Sequence, residues 1–113
     1  MELTLEKRDG FVLARTRGVI GTDSGAAFRE HLHPIVGDHG ARVVVDLSGS
    51  ERINSDGLAQ LVRLVSDANT RGSQLVFAAP TPFVANVFSI TRLDTFFRVV
   101  GTVEEAMSAV ASA

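Results

Sequence analysis

The sequence holds no cysteine, no tryptophan and no tyrosine. Without cysteine there is no disulfide scaffold, thiolate metal site, redox pair or sulfur nucleophile. Without Trp and Tyr, and with the seven Phe falling mostly at amphipathic positions, no exposed platform for stacking bases is expected. Charge of one sign is equally scarce: 11 basic residues stand interspersed with 13 acidic ones, for a formal charge of −2. A phosphate backbone finds no electrostatic footprint in that pattern, so no nucleic acid partner is expected. Long apolar runs are missing too. Val43 to Val45 and Leu75 to Pro80 fall far short of the ~20 residues that cross a bilayer, so no direct membrane insertion is expected. The opening MELTLEKRDG alternates polar with apolar residues where a secretory signal needs a continuous apolar stretch, and the expected location is the cytoplasm.

What is present is a compact α/β pattern over 113 residues, read as one domain spanning 1–113. A chain of this size buries roughly 65% of its unfolded surface, enough for a core without staples. Leu3 and Leu5 alternate with polar residues up to Asp9-Gly10, a hairpin signal before a second strand from Phe11 to Thr16. Asp23 and Ser24 offer caps for a helix carrying Phe28, Leu32, Ile35 and Val36, with Pro34 expected to kink or break its last turn. Val43, Val44 and Val45 run unbroken, as in a central strand covered on both faces. From Ser55 to Arg71, Leu58, Leu61, Val62, Val65 and Ala68 share one helical face, with Leu64 at its edge. Gly72 stops that helix before a buried strand over 74–79, and strand, helix, strand implies a right-handed parallel crossover. Thr81-Pro82 opens another helix, and Thr102 with Glu105 forms a capping box for the last one after a short strand at 98–100. The predicted order is ββαβαβαβα around a mixed, mostly parallel central sheet.

Sites for chemistry are few. His31, His33 and His39 are read as solvated surface histidines, since the first two lie two apart on a helix and point in different directions; no metal site is expected. No nucleophile elbow, phosphate-binding loop or dinucleotide fingerprint follows a strand, so neither enzyme activity nor a cofactor is expected. A nucleotide-binding reading would have only Asp46, Asp56 and a backbone nest at Ser48-Gly49-Ser50, with no phosphate-gripping Lys beside them. The informative segment runs from Asp46 to Leu58, joining the central strand to the strongest helix through a polar loop, at the sheet edge where α/β proteins bind ligands and partners. Asn54, Ser55 and Asp56 suit helix capping, worth about 1 kcal/mol for the cap. Gly57 inside the first turn costs about 1 kcal/mol relative to alanine, and a bare surface for a close-approaching partner is one account of it.

The run VVVDLSGSERINSDGL resembles the signature of STAS domains, the anti-sigma factor antagonists: a hydrophobic strand, then D-L-S-G, then a D-S-S-G-L-like helix start. The resemblance extends to the strand at Gly72 to Phe77, the helix at Pro82 to Phe88 and the R-L-D-x-F-F segment at Arg92 to Phe97. It implies a STAS-like fold and a partner-switching function in regulation of transcription. By that resemblance, the dephosphorylated protein is expected to bind a serine/threonine kinase-type anti-sigma factor and free the sigma factor. The kinase reverses this by phosphorylating the serine just before the glycine of S-S-G-L, adding about −1.5 to −2 charges at the interface. The implied partner surface comprises Asp46, Ser48, Asn54, Ser55, Asp56, Gly57 and Leu58.

The sequence departs from that pattern at the switch itself. The residue before Gly57 is Asp56, Ser55 matches the preceding serine and Asn54 the preceding aspartate, while Gly21 stands where the family often has an acidic residue. Three readings follow. Asp56 is a permanent charge that makes the protein insensitive to phosphorylation; Ser55 is the phosphorylated hydroxyl; or Asp56 is only a helix-start anion favoured by the dipole. The functional alternative is a non-sigma STAS protein, a soluble subunit of a transport or signalling complex. The expected oligomeric state is a monomer or weak dimer.

Overall fold

The computed structural model describes residues 1–111. Strands β1 (Glu2–Arg8) and β2 (Phe11–Arg17) form the expected antiparallel hairpin, turning at Gly10 with φ 87°. β3 (Arg42–Gly49), β4 (Gln74–Ala78) and β5 (Val99–Val100) follow in parallel, and the sheet runs β1-β2-β3-β4-β5. The helices are α1 (residues 24–36), α2 (Ser55–Thr70), α3 (Pro82–Ile90) and α4 (Val103–Ala111), with a 3-10 turn at Leu93–Thr95. The order ββαβαβαβα and the mixed, mostly parallel sheet are those the sequence predicts.

Helix α1 departs from expectation in one respect. It is α-helical over Ser24–Ala27, widens to a π-helix over Phe28–Leu32 and returns to α-helix over His33–Val36. Pro34 has no N–H to donate and its ring would collide with the Glu30 carbonyl in a regular helix. The chain resolves the collision one turn earlier, where the His33 N–H reaches back to the Phe28 carbonyl, and the helix then runs through the proline instead of breaking at it.

The sheet has two unequal faces. Val43, Val45 and Leu47 of β3 join a large core with Phe28 and Leu32 of α1, Leu61, Leu64 and Val65 of α2, and Val84 and Phe88 of α3. Leu64 is fully buried there, so the apolar face of α2 is wider than the stripe read from spacing, which set Leu64 at its edge. Phe77, Phe88 and Phe97 pack as a trio with ring centroids 5.1 to 6.2 Å apart. On the opposite face Val44 meets Leu13, Val76 and Ala78 under Ala106 and Val110 of α4. Val43, Val44 and Val45 have no exposed surface, as a central strand covered on both faces requires.

Candidate functional site

At the C-terminal rim of the parallel strands, three connections interlock. The Ile20 N–H donates to the Arg52 carbonyl at 3.1 Å and the Asn54 N–H to the Ile20 carbonyl at 3.1 Å, so the β2–α1 connection is stitched in parallel to the segment before α2. The Gly18 N–H donates to the Gly49 carbonyl at 3.0 Å. Below them the buried hydroxyls of Thr16 and Ser50 lie 2.7 Å apart, and the Thr81 hydroxyl donates to the Ser50 carbonyl at 3.2 Å. Backbone groups that a loop would leave to solvent are thus spent on other loops, which makes this rim a fixed platform.

Helix α2 rises from that platform. Asn54 is its N-cap, extended at φ −106° and ψ −179°, and its side-chain oxygen accepts the Gly57 N–H at 2.9 Å. Gly21 makes room for this cap: a methyl group at 21 would sit 2.8 Å from the Asn54 amide nitrogen. The two segments are fitted to each other across 33 residues of chain, a relation that neither local sequence announces.

Ser55 and Asp56 are exposed, whereas Gly57 is buried. This corrects the idea that Gly57 bares a flat surface for a partner. A Cβ there would overlap the Ile20 carbonyl and come within 3.0 Å of the Gly21 nitrogen, so the chain's own backbone occupies the space. Glycine is required because α2 starts pressed against the β2–α1 connection. Leu58 is half-buried and packs on the large core, leaving Ser55 and Asp56 as the outward part of the helix start.

Asp56 is also tethered. Its Oδ2 accepts the Thr22 hydroxyl at 2.6 Å, a short charge-assisted bond that fixes the carboxylate over the β2–α1 connection. Asp56 lies in the first turn of α2, where the helix dipole favours an anion. No local sequence pattern pairs positions 22 and 56; the signal would have been Thr22 following Gly21 on a loop known to abut the helix.

Asp46 and Ser48 are not brought to this group. Strand alternation sends Val45 and Leu47 into the three-helix core and turns Asp46 and Ser48 to the other face, where they line a groove with Thr4, Arg15 and Arg17. Asp46 is buried; its Oδ1 accepts the Ser48 N–H at 2.9 Å and its Oδ2 lies 3.6 Å from Arg15 Nε. Both contacts shape the end of β3. On the platform's outer side stand exposed Val19 and Phe83, with the Arg52 guanidinium 5.2 Å from the Phe83 ring centre; helical spacing sets Phe83 on the inner side of α3 with Val84 and Phe88, but the structure leaves it exposed in the first turn.

The histidines divide. His31 and His39 are exposed, but His33 is half-buried with Nδ1 2.9 Å from Asp67 Oδ2, linking α1 to α2; it is not a solvated histidine. The widened turn at Phe28–Leu32 rotates position 33 toward α2, which helical spacing alone does not foresee. No group of three His, Asp or Glu residues among the described residues is arranged to hold a metal ion.

Residues 6–102 match the family described as "Mlab, STAS domain". The chain belongs to the STAS domain family. This STAS domain is 29% identical over 109 residues to BtrV of Bordetella bronchiseptica, by its name a candidate anti-sigma factor antagonist, covering 96% of this chain and 94% of that one. It has the fold of an anti-sigma factor antagonist from Mycobacterium paratuberculosis, with TM-score 0.85 at 24% identity, covering 97% of this chain and 93% of that one. The antagonist SpoIIAA in its unphosphorylated form superposes with TM-score 0.77 at 16% identity, covering 99% and 98% of the two chains. No described helix is long and apolar enough to cross a membrane.

Proposed function

We propose that this STAS domain is an anti-sigma factor antagonist that docks onto a serine/threonine kinase-type anti-sigma factor through the exposed start of α2, and that Asp56 takes the place of the phosphorylated serine. The observation that carries the reading is the helix start itself. Ser55 and Asp56 project from a platform whose floor is closed by Asn54, Gly57 and Ile20, so the partner meets a preset surface. The end-to-end likeness to BtrV supports the same role. The carboxylate of Asp56 carries a single charge, less than the −1.5 to −2 of a phosphoserine, and shares it with the Thr22 hydroxyl. The interface is therefore built around that charge, and the kinase has no hydroxyl at position 56 with which to reverse docking.

Affinity capture from the host with the wild-type chain and Asp56→Arg tests this reading. The wild type is expected to retain an ATP-binding anti-sigma factor, and Asp56→Arg to lose it while remaining folded by circular dichroism, with a melting temperature lowered by only about 5 °C. Recovery of transporter subunits in its place would assign the domain to a transport complex and overturn the proposal.

A further inference from the structure

We infer that the exposed edge of β1 pairs antiparallel with the same edge of a second copy, joining two five-stranded sheets across a twofold axis centred on Leu5. The two edges of the sheet are unlike: β5 has two residues, whereas β1 has seven, and no described strand lies beyond it. All of β1 except Leu3 is exposed, and Leu5 retains 42% of its surface. A long open edge carries a row of backbone donors and acceptors that another strand satisfies.

Charged side chains ordinarily keep such an edge from pairing, and here they also select among registers. Residues facing one another across a twofold must lie on the same side of the sheet, so only shifts by two are allowed. Centred on Leu5, the pairing overlaps all seven residues and sets Glu2 opposite the second copy's Arg8, Thr4 opposite Glu6, Leu3 opposite Lys7 and Leu5 opposite itself. Arg8 is already drawn to Glu6 of its own strand at 3.1 Å, so the pairing places it between two carboxylates. Centred on Thr4, Glu2 faces Glu6; centred on Glu6, that residue faces itself. Both put like charges directly opposite, which destabilises a strand pair. Further shifts leave only three residues of overlap. Complementary charge, full overlap and burial of Leu5 coincide in one register. The inference is independent of the anti-sigma reading, since β1 contributes nothing to the start of α2.

The absence of cysteine makes the test direct. Thr4→Cys, Leu5→Cys and Glu6→Cys each place one thiol at the centre of one of the three registers, where facing Cβ atoms come within about 5 Å. Under mild oxidation at high micromolar protein, Leu5→Cys is expected to form disulfide dimer at least tenfold faster than the other two. Sedimentation of the wild type from micromolar to millimolar concentration is expected to rise toward twice the 12.0 kDa monomer mass. In Arg8→Glu, folded by circular dichroism, that rise is expected to disappear. A wild type that stays monomeric throughout overturns the inference, as does faster cross-linking of Thr4→Cys or Glu6→Cys.

Discussion

Asp56 and Gly57 are adjacent in the chain and opposite in circumstance. One carries an exposed carboxylate held by Thr22; the other is buried against the Ile20 carbonyl with no room for a methyl group. The start of α2 thus has a floor and a rim. The floor is backbone fitted to backbone, where any added atom disturbs the fold. The rim is side chain facing water, where substitution alters charge and shape at little structural cost. A surface built this way keeps its geometry while its chemistry changes, and the proposed exchange of a phosphorylated serine for Asp56 requires just that.

Substitutions that cross from floor to rim test the contrast. Gly57→Ala is expected to have the largest effect on stability, about 3 kcal/mol, because its methyl meets a carbonyl pinned by the Asn54 N–H. Thermal unfolding would show it as a fall of about 10 °C or more. Gly49→Ala is expected to cost about 2 kcal/mol by urea unfolding, since its Cβ would strike the Thr16 carbonyl where the β2–β3 register shifts. Asn54→Ala removes the cap of α2 and is expected to cost about 1 kcal/mol, with Asn54→Asp recovering most of it. Asp56→Ala, on the rim, is expected to cost no more than about 0.5 kcal/mol, the worth of an exposed anion at a helix start. If Gly57→Ala proved as mild as Asp56→Ala, the distinction between floor and rim would fail.

Much of this was legible in the sequence. Unbroken Val43 to Val45 announced the central strand, the spacing from Ser55 to Arg71 announced α2, and the segment from Asp46 to Leu58 carried the STAS resemblance. What was not legible depends on contacts between distant segments. The fit of Gly57 on Ile20, the Thr22 hydroxyl on Asp56 and the room that Gly21 leaves for Asn54 all require the β2–α1 connection to lie beside α2. The pairing of His33 with Asp67 depends on the widened turn ahead of Pro34, a distortion that regular helical spacing omits. Separation of Asp46 and Ser48 from Ser55 and Asp56 follows from strand alternation, but proximity in the motif obscured it.

The central claim is that Asp56 stands where a kinase would otherwise write its mark. Intact-mass measurement after incubation with the captured anti-sigma kinase and ATP, on the wild type and Asp56→Ser in parallel, addresses it most directly. The account predicts no phosphate on the wild type, and on Asp56→Ser one phosphate together with loss of the complex. Phosphate on the wild type that Ser55→Ala abolishes, or an Asp56→Ser variant that the kinase leaves unmodified, would contradict it.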